Sequence, residues 1–306
     1  MTQARGRPGP VIAAGDFKRA FERFQKDEMT QRAAALTYYA LMSLFPALLV
    51  GAAVLGVFGQ QGLVDDSANY LKDAGAPSQT VDAVTSALES AQRQRSTAIG
   101  ALVLGTATAL YGASGAFGAV GSALNQVWRV EEGRSFVKKK GQNLVWTIVL
   151  LLLVVITTVL LFLGGGLADD ALGKIGLGGN VASVWQIARW PAALLSALLI
   201  YAIVYYAAPN VEVRRWQYIT PGAVFGVSAT ILASAVFFFY VSKFSSYSAT
   251  YGAFAAVVIL LIWLNLASMV LLLGAELNVV VGQRRSDHLP PGYDGPVLPP
   301  KDPAEA

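Results

Sequence analysis

The fold class this sequence predicts is all-α, a polytopic membrane protein with six transmembrane helices, and three observations predict it. Of 306 residues, 55% are hydrophobic and only 14% are charged, against about 25% charged in an average soluble domain. The mean hydropathy is +0.51. Six apolar runs each reach the roughly 20 residues that a helix needs to cross about 30 Å of hydrocarbon. A soluble chain of this length would have too few charges to coat its surface, whereas lipid accepts an apolar exterior. The runs are too long and continuous for barrel strands, which leaves helices as the structure that satisfies its backbone in lipid.

Residues 1–15 are rich in Gly, Pro and Arg and are expected to be disordered; residues 16–285 are expected to form one six-helix domain. Between Asp16 and Glu28, Phe17, Phe21 and Phe24 recur at i, i+4, i+7 among Lys18, Arg19, Arg23 and Lys26. That pattern fits a basic amphipathic helix lying in the membrane interface. The blander reading is a helix packed on the inner loops. The first apolar run starts behind this charged segment and holds Tyr38, Tyr39 and Pro46, so it reads as a retained span and not a cleaved signal peptide.

The six spans are predicted at about 33–58, 97–122, 144–164, 187–208, 219–241 and 252–280. Leu144 to Leu163 carries no charge at all. Pro46 predicts a kink in the first span. Trp190-Pro191 is expected to open the fourth, since proline is tolerated in a helix's first turn. The loop at 60–95 holds two amphipathic stretches separated by Pro77, expected to be short helices lying over the outer face of the bundle. Residues 286–306 hold six prolines and are expected to be a disordered tail.

Orientation follows from basic residues outside the spans. With the N-terminus inside, the inner segments hold Arg5, Arg7, Lys18, Arg19, Arg23, Lys26, Arg32, Arg129, Arg134, Lys138, Lys139, Lys140, Arg214, Arg215, Arg284, Arg285 and Lys301, which is 17 of the 23. Both termini are therefore expected in the cytoplasm. Trp128, Trp146 and Trp216 inside, with Trp185 and Trp190 outside, fall near the expected interfaces.

Several polar positions within the spans are candidates for a substrate pathway. In the first, Arg32, Tyr39, Ser43 and Pro46 share a narrow arc of one helical face. In the second, Tyr111, Gly115, Gly118, Ser122 and Asn125 lie on one face. Ser114, Gly118 and Ser122 form a small-xxx-small ladder there, and Gly222, Gly226, Thr230 and Ser234 repeat the device in the fifth. Such ladders usually serve close helix packing; the sharper reading has Tyr111 and Asn125 lining a polar cavity. In the sixth, Asn265 and Glu276 lie almost three whole turns apart on one side. A carboxylate facing lipid is costly, so Glu276 should face protein or water. Its expected partners are the basic residues at the cytoplasmic ends, Arg32 or Arg129 among them, and its role is either an inter-helix ion pair or a substrate or proton site. Tyr205, Tyr206, Pro209 and Asn210 mark a break whose freed carbonyls need protein or water.

Other chemistries find no residues to carry them. There is no GxxxxGK[ST] phosphate loop and no HExxH, and the single histidine, His288, lies in the tail. One histidine supports neither a His-based metal site nor a Ser-His triad. Without cysteines there are no disulfides and no Cys-based zinc sites. No enzyme, metal, cofactor or nucleic-acid partner is expected. Lys138, Lys139 and Lys140, beside a span, are expected to meet anionic lipid headgroups.

The segments AAALTYYALMSLFPALL (33–49), LYGASGAFGAVGSALNQVW (110–128), YYAAPNVEVRRW (205–216), ITPGAVFGV (219–227) and YGAFAAVVILLIWLNLASMVLLLGAELN (251–278) resemble the YihY/virulence factor BrkB family. The resemblance spans about residues 16–282 and rests on Tyr38, Tyr39, Ser43, Pro46, Tyr111, Gly115, Asn125, Pro209, Pro221, Gly222, Tyr251, Gly252, Asn265, Glu276 and Asn278. It implies a six-helix protein of the bacterial cytoplasmic membrane and brings no catalytic residues with it. The family also carries an older ribonuclease BN label. From family and residues together, the expected function is a permease or exporter of an amphiphilic or anionic envelope component. A non-transporting envelope scaffold is the alternative, and a tRNA-processing ribonuclease the reading the residues favour least.

Overall fold

The computed structural model describes residues 12, 14–58, 95–162, 180–211, 219–242 and 245–286, with isolated positions between 68 and 86. Among the described residues there are seven helices and no strand: α1 (Ala14–Lys26), α2 (Met29–Phe58), α3 (Arg95–Trp128), α4 (Phe136–Phe162), α5 (Asn180–Ala207), α6 (Pro221–Ser242) and α7 (Ser245–Ser286). Four stretches are long and apolar enough to cross a membrane: Phe136–Thr158, Val184–Ala207, Pro221–Val241 and Val257–Arg284. The terminal segments expected to be disordered lie outside the described residues, apart from Ile12, the start of α1 and Ser286 at the end of α7. So does most of the 60–95 loop, whose isolated described positions are each helical.

The chain divides into two compact units. The first comprises residues 1–37 and 117–306. Within it α7 packs against α6 and α1, and α5 packs against α6 and α4. Its core joins Phe24, Met29, Ala33 and Leu36 to Phe117, Leu124 and Val127, and to Val204, Tyr205, Ala223, Leu272 and Val279. The faces turned away from this core are apolar: Leu152, Val155 and Ile156 on α4, Leu195 on α5, and Ile231, Leu232, Phe238 and Phe239 on α6 are all exposed. An apolar exterior of that extent suits lipid and not water.

The close approach of α6 to α7 depends on two glycines. A Cβ on Gly222 would collide with the carbonyl oxygen of Gly274, and one on Gly274 with that of Gly222 and with the Tyr205 hydroxyl. The Asn278 side chain accepts a hydrogen bond from the Gly222 N–H at 2.7 Å, satisfying one of the free donors at the start of α6. Nearby, Tyr205 donates to the Leu271 carbonyl at 2.8 Å.

The start of the fourth span differs from expectation. Pro191 does not open a helix; α5 begins at Asn180 and runs through it. Proline removes one backbone donor from the ladder but does not end a long helix whose remaining turns are intact.

The second unit comprises residues 38–116, with the second half of α2 and most of α3. Ser43 donates to the Ala40 carbonyl at 2.8 Å and Ser114 to the Tyr111 carbonyl at 2.7 Å. Each hydroxyl is thus returned to its own helix, a common arrangement for serine in membrane helices.

Candidate functional site

The first unit concentrates charge where α1 meets α7. The turn after α1 supplies Asp27, and Glu28 follows with φ of 53°, a left-handed conformation uncommon outside glycine. At the end of α3, Arg129 has φ of 54°. The Val130 N–H bonds the Asn125 carbonyl at 2.9 Å and the Arg129 N–H bonds Gln126 at 3.1 Å. That pattern closes a helix C-terminus where glycine is the usual residue. Arginine occupies the position and carries its guanidinium to Asp27, with Nη2 3.8 Å from Oδ1.

The core of the cluster is Arg23 and Glu276. Arg23 Nε donates to Glu276 Oε2 at 2.7 Å, and its Nη2 donates to the Val127 carbonyl at 2.9 Å. Glu276 is completely buried. One arginine therefore ties the N-terminal helix to the last helix and to a carbonyl left open at the end of α3. Two further turns along α7, Arg284 Nη1 lies 2.7 Å from the buried Asp16 Oδ2 on α1. Between these pairs, Ala20 of α1 packs on Leu277, Val280 and Val281. The aromatic stripe on α1 is divided: Phe24 enters the core, Phe17 and Phe21 stay exposed, and the Phe17 ring lies 5.6 Å from that of Phe225.

Glu276 does pair with a basic residue of the expected inner segments, but the two named for it, Arg32 and Arg129, are corrected. Arg32 is half-buried and Arg129 pairs with Asp27, while Arg23 holds Glu276. The reason is tertiary. The turn at Asp27 and Glu28 folds α1 back on α7, bringing a residue of the amphipathic segment to a carboxylate 253 residues away.

A second node forms around Glu132. Arg134 grips both its oxygens, Nε to Oε1 at 2.7 Å and Nη2 to Oε2 at 2.8 Å, and Lys139 Nζ lies 3.1 Å from Oε2. These bonds, that of Arg134 foremost, hold the Glu132 carboxyl down at about 2 against an ordinary 4.5. Arg134 also reaches the Ala208 carbonyl at 3.2 Å, Asn125 accepts from the Asn210 N–H at 2.6 Å, and Asn210 donates to the Glu131 carbonyl at 3.1 Å. The helix break at Pro209 thus has its backbone groups met by protein.

Among the pathway candidates, Asn125 is buried in that node, and Asn265 donates to Thr37 Oγ1 at 3.3 Å. Tyr39 and Tyr111 are 42% and 68% exposed, and Ser43 is half-buried. Among the packing candidates, Ser114 is buried, Gly118 faces Asn143, Gly222 faces Gly274 and Gly226 faces the Tyr201 ring. A Cβ on Gly115 would meet open space. Ser122 is exposed, which corrects its place in the ladder. The buried face of α3 passes through Gly121, whose added Cβ would lie 2.7 Å from the Ala208 carbonyl oxygen, because 3.6 residues per turn alternates steps of three and four.

Arg23, Asp16, Asp27, Glu132 and Arg134 were missed as site residues. The usable signal was the helix break at Asp27-Glu28, which predicts that the basic segment turns back; nothing in the local pattern marks Glu132.

Apolar membrane-length helices with an ion-paired interior define a multi-pass helical membrane protein. A family model described as virulence factor BrkB matches residues 20–294, and the chain belongs to that YihY/BrkB family of bacterial membrane proteins. It is 32% identical to the ribonuclease-like protein YfkH of Bacillus subtilis (strain 168), over 88% of this chain and 96% of that one. It is 29% identical to a UPF0761 membrane protein of Alkalilimnicola ehrlichii, covering 83% of this chain but only 55% of that longer protein. A UPF0761 membrane protein of Vibrio campbellii is 27% identical over 90% of this chain and 84% of its own. No solved structure matches the chain.

Proposed function

We propose that this protein is a permease that moves an amphiphilic or anionic component of the bacterial envelope, through six spans with both termini in the cytoplasm. α2 and α3 supply the two spans beyond the four apolar stretches. Their 30 and 34 residues correspond to about 45 Å or more at 1.5 Å per residue, enough to cross the hydrocarbon. The observation that carries the transport reading is the exposure of two tyrosines on the helices of the second unit, Tyr39 at 42% and Tyr111 at 68%. Tyrosine presents an apolar ring with a polar tip, which suits a surface that meets amphiphilic headgroups. Tyr39, Ser43 and Tyr111 are the route in this reading, and Lys138, Lys139 and Lys140 attract anionic headgroups. Lys139 also pairs with Glu132, which leaves Lys138, an exposed residue beside exposed Phe136 and Val137, as the better-placed lysine.

The reading is non-enzymatic and gives no weight to the word ribonuclease in the Bacillus relative's name. Vesicles of phosphatidylethanolamine and phosphatidylglycerol containing the purified chain are expected to flip a labelled anionic lipid several-fold faster than empty vesicles. Equal rates for every envelope lipid and small solute tried, with correctly folded protein, would remove the proposal. A scaffold is the second reading, favoured by how many buried polar groups are already paired within the chain; it predicts function without flux.

A further inference from the structure

The oxygens of Glu276 and Asp27 that face away from the arginines are unaccounted for by the ion pairs. Arg23 uses Glu276 Oε2, and Arg129 approaches Asp27 Oδ1. Glu276 Oε1 and Asp27 Oδ2 are both buried and receive no hydrogen bond from any donor. The side chains are 0% and 8% exposed, so water does not substitute freely. Asp27 sits one helical turn beyond Arg23, its N–H bonded to the Arg23 carbonyl at 2.8 Å, so the arginine that holds Glu276 brings the Asp27 carboxyl alongside it. Two carboxylates have no hydrogen to place in a bond between them; a carboxyl and a carboxylate have one.

We propose that Asp27 and Glu276 form a buried proton-binding site in which a single proton bridges Glu276 Oε1 and Asp27 Oδ2. The surrounding charges suit it. Arg23 on α1 and Arg129 after α3 face the pair directly, and Asp16 and Arg284 neutralise one another further along the same interface. α6, which also packs on α7, brings no charged residue, and α5 brings the uncharged Tyr205, whose hydroxyl is bonded to Leu271. With both carboxyls ionised the two arginines balance them; with the proton bound, the four groups carry one net positive charge. Loss of the proton sets two negative charges against each other where α1 docks on α7, so proton occupancy bears on that docking. Glu28 and Arg129, both in the left-handed region, flank the site, and backbone strain of this kind is held where a local geometry must be maintained. This site stands independently of transport, since its test involves no substrate.

The test is infrared spectroscopy of the purified full chain in detergent across a pH titration, with Asp27→Asn and Glu276→Gln beside it. The native protein is expected to show the carbonyl stretch of a protonated carboxyl at neutral pH, shifted in heavy water. That band is expected to disappear in each variant. An amide at either position can donate to the remaining carboxylate, so the bridge and the fold should survive. If Glu276→Gln fails to give monodisperse protein, Asp27→Asn carries the assignment alone. Absence of the band in native protein, or its survival in Asp27→Asn, would overturn the proposal. So would a midpoint that moves with sodium concentration, since it would assign the site to a metal cation.

Discussion

Arg23 and Glu276 meet at 2.7 Å although 253 residues separate them, and their contact ties α1 to α7, the first and last of the described helices. Breaking a buried ion pair by removing one partner costs about 3–5 kcal/mol, because the remaining charge is left without compensation. Arg23→Ala would also strip the donor from the Val127 carbonyl. It is expected to be destabilised by about 3 kcal/mol or more in thermal unfolding of the detergent-solubilised protein. The exposed Lys18→Ala, which removes only a surface pair with Glu22, should stay within about 0.5 kcal/mol.

Gly222 and Gly115 look alike in sequence, yet they should respond oppositely to alanine. At Gly222 the added methyl meets the Gly274 carbonyl and the Asn278 side chain, so Gly222→Ala is expected to cost about 1–3 kcal/mol through forced displacement. At Gly115 nothing lies within reach, and Gly115→Ala should be neutral or gain up to about 1 kcal/mol from helix propensity. Melting temperatures of the two variants, measured side by side, check the contrast.

The Glu132 node predicts an acid dependence with a definite sign. Its carboxyl is lowered in the folded protein to about 2 from 4.5, so its contribution to stability is complete above the ordinary carboxylate range. The contribution is lost as pH falls from about 4.5 towards 2. Glu132→Gln should therefore lower the melting temperature at pH 7, and the gap between variant and native protein should narrow across that window. A gap that widens on acidification would refute the assignment.

Asn125→Ala is expected to loosen the join between the end of α3 and the chain after α5, because the Asn210 N–H loses its acceptor. Leaving such a donor unmet costs about 1–3 kcal/mol. Faster limited proteolysis between residues 208 and 220 is the readout, with cleavage elsewhere unchanged.

What was legible in the sequence and what was not divides along physical lines. Uncharged runs such as Leu144–Leu163 announce membrane helices because lipid imposes length and apolarity locally, without reference to other elements. Glu276 was legible as a buried group for the same reason, since a carboxylate in such a run must turn inward. Its partner was not. Arg32 and Arg129 are the basic residues nearest the span ends, but the choice of Arg23 depends on a chain reversal at Asp27-Glu28, where Glu28 takes a positive φ. Pro191 misled for a related reason: proline marks helix starts statistically, yet a long helix absorbs one missing donor. Ser122 was displaced by Gly121 because a strict four-residue ladder drifts off a face that repeats every 3.6 residues.

In the transport reading the exposed Tyr39 and Tyr111 meet the cargo. Its most direct test is lipid flux in vesicles for the double variant Tyr39→Ala with Tyr111→Ala, measured against native protein and alongside melting temperature. Flux is expected to fall at least tenfold, with melting shifted by no more than a few degrees. Native-level flux from the double variant would contradict the account, as would a loss of flux that only follows a loss of fold.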